Sequence, residues 1–159
     1  MEDRELTPED LKVDSLGEPK IPSPVGLGSL SGDGEADFVQ EGRSTLYETD
    51  RDLLMARVRA GKELPAFELA GPRKSIYFDP DRVKVAIVTC GGLCPGINNV
   101  IRTLVFELHY AYSVRSILGI RYGFRGFIPR YGYEPILLTP DAVKDIHEQG
   151  GSALSSSRG

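Results

Sequence analysis

The sequence is poor in the side chains that hold metals: its 159 residues include two cysteines, two histidines and no tryptophan. A zinc site needs a second pair of ligands at a suitable spacing, and the sequence has none to complement Cys90 and Cys94. We therefore expect no metal site formed by this chain. A basic excess is also lacking, with 19 Lys and Arg against 23 Asp and Glu and a net charge of −4. Without a Lys/Arg block, nucleic acid is excluded as an expected partner.

Long hydrophobic runs are absent as well. Apolar runs such as Val85–Val88 are far shorter than the about 20 residues that a membrane helix requires. The opening Met1-Glu2-Asp3 has no charged-then-apolar export signal. We therefore expect a cytoplasmic protein with no membrane partner.

What is present is an ordinary globular composition, with 40% apolar and 26% charged residues. The length suits about one domain and is too short for a complete two-domain enzyme. Composition divides the chain near residue 75. Residues 1–75 are predicted to form a mostly irregular, partly disordered extension with a linker over Ser23–Gly34. One short helix is predicted between Glu48 and Glu63, with Gly61 and Pro65 ending it. Residues 76–159 carry the regular patterns.

Those patterns predict an α/β fold. The β-branched run Val83–Val88 suits a strand buried on both faces, and apolar residues from Ile97 to Ala111 recur at helical spacing, which predicts a helix that ends near Tyr112. A second strand within Val114–Ile120 completes a βαβ unit with a right-handed crossover. We expect an incomplete Rossmann-like parallel sheet with flanking helices.

Two further elements are predicted towards the end of the chain. Pro135–Leu138 suits a short strand. Thr139-Pro140 has the hydroxyl of an N-cap followed by proline at the first helical position, and Gly150 is expected to close that helix as its C-cap.

Three loops hold residues suited to binding. Gly91 and Gly92 lie between the first strand and its helix, where backbone N–H groups can cradle an anion, although the loop lacks the lysine of a Walker motif and the three spaced glycines of a dinucleotide motif. The alternative is a tight turn with no ligand.

After the second strand, Gly119–Phe127 interleaves arginines and aromatics, which suits a purine or a phosphate. The pattern alone favours the other interpretation, a turn with its aromatics packed on the core. Gly150–Gly159 ends in Arg158, which suits a phosphoryl group, or the segment is a flexible, solvated tail.

In this order the loops resemble the 6-phosphofructokinase family. The residues that carry the resemblance are Ile87–Asn98, with its Cys-Gly-Gly-Leu-Cys-Pro-Gly core, then Gly123–Phe127, and finally Gly150-Gly151 with Ser157-Arg158-Gly159. The resemblance covers residues 72–159 and is strongest to the long-chain branch of plants and of some bacteria and protists.

The resemblance implies a kinase that transfers a phosphoryl group from ATP, with Mg²⁺, to the 1-hydroxyl of fructose 6-phosphate. It implies that Gly91, with Gly92 beside it, lies against the terminal phosphates of ATP, that Phe124 lies near the adenine, and that Arg158, with Gly159 beside it, contacts the phosphoryl group. It also implies a homo-oligomer in the full-length protein. A pyrophosphate-dependent relative, or a non-catalytic phosphate-binding module of the same fold, is the alternative.

The chain departs from the family pattern at three places. Ser155 and Ser156 replace the usual glycine and threonine, so the backbone there is expected to approach phosphates less closely. Arg102 matches one effector-site arginine of short-chain bacterial relatives, but Phe106 replaces its partner, and regulation of that type is not expected. The family's metal-binding and catalytic-base motifs are missing from these 159 residues. We therefore expect a truncated donor site, with no catalytic residue in this chain and no activity in isolation.

Overall fold

Two short strand pairs and one helix are found in the N-terminal part of the computed structural model, which describes residues 6–26 and 38–157. Strand β1 (Ile21–Pro22) pairs antiparallel with a strand over Ser75–Ile76, and β2 (Ser44–Leu46) pairs antiparallel with β3 (Ala66–Glu68). The strand Ser75–Ile76 is β4. None of these strands is among the elements that the sequence predicts.

Helix α1 (Arg51–Arg59) is the short helix predicted between residues 48 and 63. Its N-cap is Asp50, whose carboxylate accepts hydrogen bonds from the N–H groups of Asp52 and Leu53 at 2.9 and 3.1 Å. Gly61, just past the helix, has a φ of +65°. This left-handed conformation suits glycine and ends the helix as predicted.

A βαβ unit organises the second half of the chain and confirms the predicted α/β fold. Strand β5 (Lys84–Val88) runs parallel to β6 (Ser116–Ile120), with Lys84 opposite Ser116 and Val88 opposite Ile120. Helix α2 (Ile97–Phe106) joins them and continues as a π-helical segment over Glu107–Ala111, so the helical stretch ends at Tyr112 as predicted.

The sheet is extended on one side by β7 (Ile136–Leu137), which lies in the predicted strand segment 135–138 and pairs antiparallel with β6. The order is therefore β5-β6-β7, with one parallel and one antiparallel pairing. Side chains from the sheet, α2 and the C-terminal segment form a single hydrophobic core. Its fully buried members are Ile101, Val105, Ile117, Val143 and Leu154.

Helix α3 (Pro140–Val143) begins as predicted but ends early. The hydroxyl of Thr139 accepts a hydrogen bond from the N–H of Ala142 at 3.1 Å, which is the expected N-cap. The prediction that Gly150 closes this helix is wrong. The carbonyl of Lys144 accepts from the Arg102 guanidinium, while the N–H of Glu148 donates to Asp145 instead, so the α-helical ladder is not continued.

The described residues fall into two units, 6–23 with 38–77 and 24–26 with 78–157. The change from one unit to the other between Tyr77 and Phe78 lies close to the compositional boundary at residue 75. The assignment of the two segments as an extension and a catalytic-domain part stays a prediction. Residues 27–34 of the predicted linker lie outside the described residues.

Candidate functional site

The three loops singled out in the sequence meet at the carboxyl ends of β5 and β6. The backbone N–H of Gly91 donates to the carbonyl of Ser157 at 3.1 Å, and the hydroxyl of Ser156 donates to the carbonyl of Gly91 at 2.9 Å. Towards the β6 loop, the Ser157 hydroxyl donates to the carbonyl of Tyr122 at 2.8 Å, and the Tyr122 N–H donates to the carbonyl of Leu154 at 2.9 Å. The segment that ends at Ser157 therefore joins the loops that follow both parallel strands.

Gly123 marks the point of closest approach between these loops. Its φ is +60°, and a Cβ atom built on it would lie 2.9 Å from the Ser157 hydroxyl oxygen and 3.3 Å from the Cys90 sulfur. A side chain at this position would push apart the three segments. The glycine is thus required both by its left-handed backbone and by the lack of space.

The loop between β5 and α2 leaves backbone donors without partners. Gly96 is the N-cap of α2 and has no side chain to cap the helix. Within residues 6–26 and 38–157, nothing accepts a hydrogen bond from the backbone N–H of Asn98 or Asn99 in the first turn, or from that of Gly92. An uncapped helix start has unpaired N–H groups and a partial positive charge, which together attract an anion.

Two cavities open on this loop. The larger, about 470 Å³, is lined by residues of the loop and of the segment before Gly151: Leu93, Cys94, Pro95, Gly96, Asn98, Asn99, His147, Gln149, Gly150 and Gly151. The smaller, about 170 Å³, is lined by Thr89, Gly92 and Ser156 among others. The predicted anion cradle is therefore accessible from outside.

The C-terminal segment is not a solvated tail as far as the structure describes it. Leu154 is fully buried in the core. The hydroxyl of Thr89 donates to the carbonyl of Ser155 at 2.7 Å and lies 2.9 Å from the hydroxyl of Ser152. The interpretation of residues 150–157 as a flexible tail is wrong, because a buried leucine and a buried threonine fasten the segment to β5. Arg158 and Gly159, both predicted site residues, lie outside the described residues.

Aromatic side chains follow β6, but they do not pack on the core. Phe124 is 62% exposed and Phe127 is 53% exposed, so the interpretation of Gly119–Phe127 as a turn with buried aromatics is wrong. Tyr122, in contrast, is engaged: its ring lies 4.4 Å from that of Tyr133, and the Arg121 guanidinium lies 5.1 Å from its centre. The 3₁₀ turn over Gly123–Phe127 leaves both phenylalanine rings uncovered, and Phe124 directly follows Gly123 at the three-loop junction.

Arg102, which matches an effector-site arginine of short-chain relatives, has a structural role here. Its Nε donates to the carbonyl of Lys144 at 3.0 Å, and its guanidinium lies 4.3 Å from the centre of the Phe106 ring. Phe106, which stands where the partner arginine is expected, thus stacks on Arg102. The guanidinium joins α2 to the end of α3.

The described residues show neither a metal-ligand cluster nor a membrane helix. Nowhere in 6–26 and 38–157 do three His, Cys, Asp or Glu side chains come together in a way that could hold a metal ion. In the same ranges, no helix combines the length and the hydropathy needed to cross a bilayer.

Sequence reasoning missed Asn98, Thr89 and Ser152, whose side chains join the loops. A signal for Asn98 was present in the helical pattern. It precedes Ile101 by three residues and Val105 by seven, so it lies on the buried face of α2, and only 3% of its surface is exposed. A polar residue on an apolar helix face indicates a side chain with internal partners.

Comparison with known proteins concerns the segment that contains these loops. Residues 84–159, which contain all three loops, match the family model described as phosphofructokinase. This part of the chain belongs to the phosphofructokinase family. The resemblance derived from the loops is thereby confirmed.

Curated relatives of the phosphofructokinase family come from several kingdoms. An "ATP-dependent 6-phosphofructokinase" of Amycolatopsis methanolica is 45% identical over 151 residues, which is 95% of this chain and 33% of the relative. One from Entamoeba histolytica is 55% identical over 92 residues, 58% of this chain and 21% of the relative. "ATP-dependent 6-phosphofructokinase 2" of Arabidopsis thaliana is 42% identical over 145 residues, 88% of this chain and 32% of the relative.

The chain spans a third or less of the length of these phosphofructokinases. The alignments with the Amycolatopsis and Arabidopsis relatives cover more of the chain than the family model does. The likeness therefore extends into the N-terminal part, where the sequence shows no motif of its own.

Proposed function

We propose that this chain forms part of the donor site of an ATP-dependent 6-phosphofructokinase, which makes fructose 1,6-bisphosphate in glycolysis. In this reaction the 1-oxygen of fructose 6-phosphate bonds to the terminal phosphorus of ATP. The bond from that phosphorus to ADP breaks, and the hydroxyl proton is released. The relatives named above are all called ATP-dependent, which favours ATP over pyrophosphate as the donor.

The observation that carries the proposal is the junction of the three loops. A glycine loop, an aromatic loop and a serine-rich segment are far apart in sequence, yet Gly91, Tyr122 and Ser157 are joined directly by hydrogen bonds. Phosphoryl transfer depends mainly on positioning and on neutralising charge. A junction of this kind at the ends of parallel strands is suited to both tasks.

The glycine loop is proposed to bind the terminal phosphates through Gly92 and the first turn of α2. The N–H of Gly91 already donates to Ser157, so its part is to turn the chain, with a φ of +87°. The N–H groups of Gly92, Asn98 and Asn99 have no acceptor among the described residues and remain able to donate to phosphate oxygens. Such fixed donors stabilise the charge that develops on the phosphoryl group.

The other two loops are proposed to hold the two ends of ATP. The exposed ring of Phe124 offers a flat apolar surface for adenine. Arg158, with Gly159 beside it, follows directly on the anchored Ser157 and supplies a guanidinium suited to paired hydrogen bonds with the phosphoryl group.

Magnesium is part of the proposed reaction, but the described residues do not form a site for it. They contain no cluster of carboxylates or other ligands. We derive no step through the metal. A cytoplasmic location and a homo-oligomeric assembly complete the proposal, although two Arabidopsis relatives are named chloroplastic.

The test is turnover by the full-length protein with fructose 6-phosphate and either ATP or pyrophosphate, measured as fructose 1,6-bisphosphate formed. We expect turnover with ATP. Activity with pyrophosphate alone would show that pyrophosphate, not ATP, is the donor. Binding of phosphate compounds without turnover by either donor would indicate a non-catalytic module.

A matched pair of arginine variants tests the site itself. Arg158→Met should lower kcat by about 100- to 1,000-fold, which is the usual cost of removing one charge-stabilising donor. Arg130→Met is the control, because its guanidinium contacts the neighbouring Tyr131 ring and hydroxyl. Equal kcat values for the two variants would contradict the role of Arg158.

A further inference from the structure

We propose that Asn98 is a positioning residue, which fixes the segment ending at Ser157 against the glycine loop and so sets the geometry of the donor site. The inference rests on the proposed function for its effect on catalysis. It adds to that function a side chain that touches no substrate, because both polar atoms of the Asn98 amide bind the protein itself.

The Asn98 side chain is buried and both ends of its amide are used. Its Nδ2 donates to the carbonyl of Gln149 at 3.0 Å, and its Oδ1 accepts from the N–H of Ala153 at 2.8 Å. Only 3% of the residue is exposed. One buried side chain therefore satisfies a carbonyl and an N–H that lie four residues apart on another segment, through two part-buried hydrogen bonds.

These two hydrogen bonds fix both ends of the turn that leads to the donor site. Between Gln149 and Ala153 the chain passes Gly151, which has a φ of +79°. After Ala153 it continues through buried Leu154 to Ser156 and Ser157, which hydrogen-bond Gly91. A shift of the turn would thus move the residues that meet the glycine loop.

Asn98 is well placed for this task because its helix is rigidly held. About one and two turns of α2 beyond it, Ile101 and Val105 are buried in the core. The N-terminal end of the same helix is the proposed phosphate-binding turn. Helix α2 therefore positions both the segment and the proposed phosphate donors. The Thr89 hydroxyl connects the segment to the end of β5 a second time, through Ser152 and Ser155.

Only asparagine suits both partners at this length. Aspartate keeps the acceptor for Ala153 but has no N–H for Gln149, and leucine has the same branching at Cγ with neither group. Either change removes at least one of the two hydrogen bonds that hold the turn against α2.

The experiment compares Asn98→Leu and Asn98→Asp with Val105→Ala in the full-length protein. Val105→Ala removes buried volume from the same helix and leaves both hydrogen bonds of Asn98 in place, so it serves as the control for lost stability. We expect both Asn98 variants to lower kcat/KM for ATP by about 100-fold, the usual effect of misplacing groups by about 1 Å. The KM for fructose 6-phosphate should stay unchanged. Hydrogen exchange at the Ala153 amide should speed up in the Asn98 variants and not in Val105→Ala.

Two results would overturn the inference. One is equal loss of kcat/KM for ATP in Asn98→Leu and Val105→Ala at equal loss of melting temperature. The other is unchanged exchange at the Ala153 amide, which can be measured whether or not the protein turns over. A wild-type protein inactive with both donors would instead overturn the proposed function, so the two failures are distinguishable.

Discussion

The backbone N–H of Gly91 donates a 3.1 Å hydrogen bond to the carbonyl of Ser157, and the carbonyl of Gly91 accepts another from the neighbouring Ser156 hydroxyl. One glycine thus has its donor and its acceptor engaged by two consecutive serines. This pairing holds the loop after β5 in a fixed orientation and leaves the next amide, that of Gly92, directed to no described residue. In the proposed donor site, Gly91 shapes the loop and Gly92 binds.

A pair of glycine variants tests whether the three loops must touch. Gly123→Ala should raise the KM for ATP by about 10-fold or more, because the new methyl group would crowd Ser157 and Cys90 and move the loops by a fraction of an ångström. Gly132→Ala is the matched control: its φ is +62°, close to the +60° of Gly123, but its Cβ would meet nothing within 4 Å. Backbone strain is similar in the two variants. The same KM for ATP in both variants would show that contact between the loops is unimportant for ATP binding.

The regular elements of the second unit could be predicted because their signals are local. The β-branched run of β5 and the helical spacing from Ile97 onward depend on residues that are close in sequence. The Thr139 N-cap is decided within four residues. Patterns of this kind do not require knowledge of what packs against them.

The errors arose where distant residues decide the structure. Where helix α3 ends early, the carbonyl of Lys144 accepts from Arg102 on another helix, and the N–H of Glu148 donates to Asp145. The serine-rich segment was open to interpretation as a tail because its anchors, Thr89 and Asn98, precede it by more than 50 residues. Phe124 is exposed because the 3₁₀ turn directs it away from the core. Single-sequence patterns contain no information about these contacts.

The exposed ring of Phe124 predicts a binding defect without a folding defect. Phe124→Ala should raise the KM for ATP by about 5- to 100-fold, the range expected for losing one base–aromatic stack. Thermal stability should barely change, since the ring covers little of the core. Tyr122→Phe is the comparison, because it keeps the ring stacked on Tyr133 and loses only the hydroxyl that accepts from Arg121. An unchanged KM in Phe124→Ala would exclude this ring as the adenine surface.

Leu154 predicts how firmly the serine-rich segment is held. Leu154→Ala removes a fully buried side chain and should lower the free energy of unfolding by about 2–5 kcal/mol. Leu137→Ala provides the control, since this leucine on β7 is 56% exposed and its loss should cost about 0.5 kcal/mol. Urea denaturation of the full-length protein measures both. Similar losses in the two variants would mean that the segment does not contribute to the core in solution.

Ser155 occupies a backbone conformation that favours glycine. Its φ is +57°, and the left-handed region costs a side-chain-bearing residue roughly 1–2 kcal/mol. Ser155→Gly relieves this strain but adds freedom to the unfolded chain, so we expect a net gain of about 0.5–1 kcal/mol in the free energy of unfolding. Ser155→Ala is the control, because the serine hydroxyl has no partner among the described residues and its loss leaves the strain in place. If Ser155→Gly unfolds at the same urea concentration as Ser155→Ala, the left-handed conformation is not a source of strain at this position.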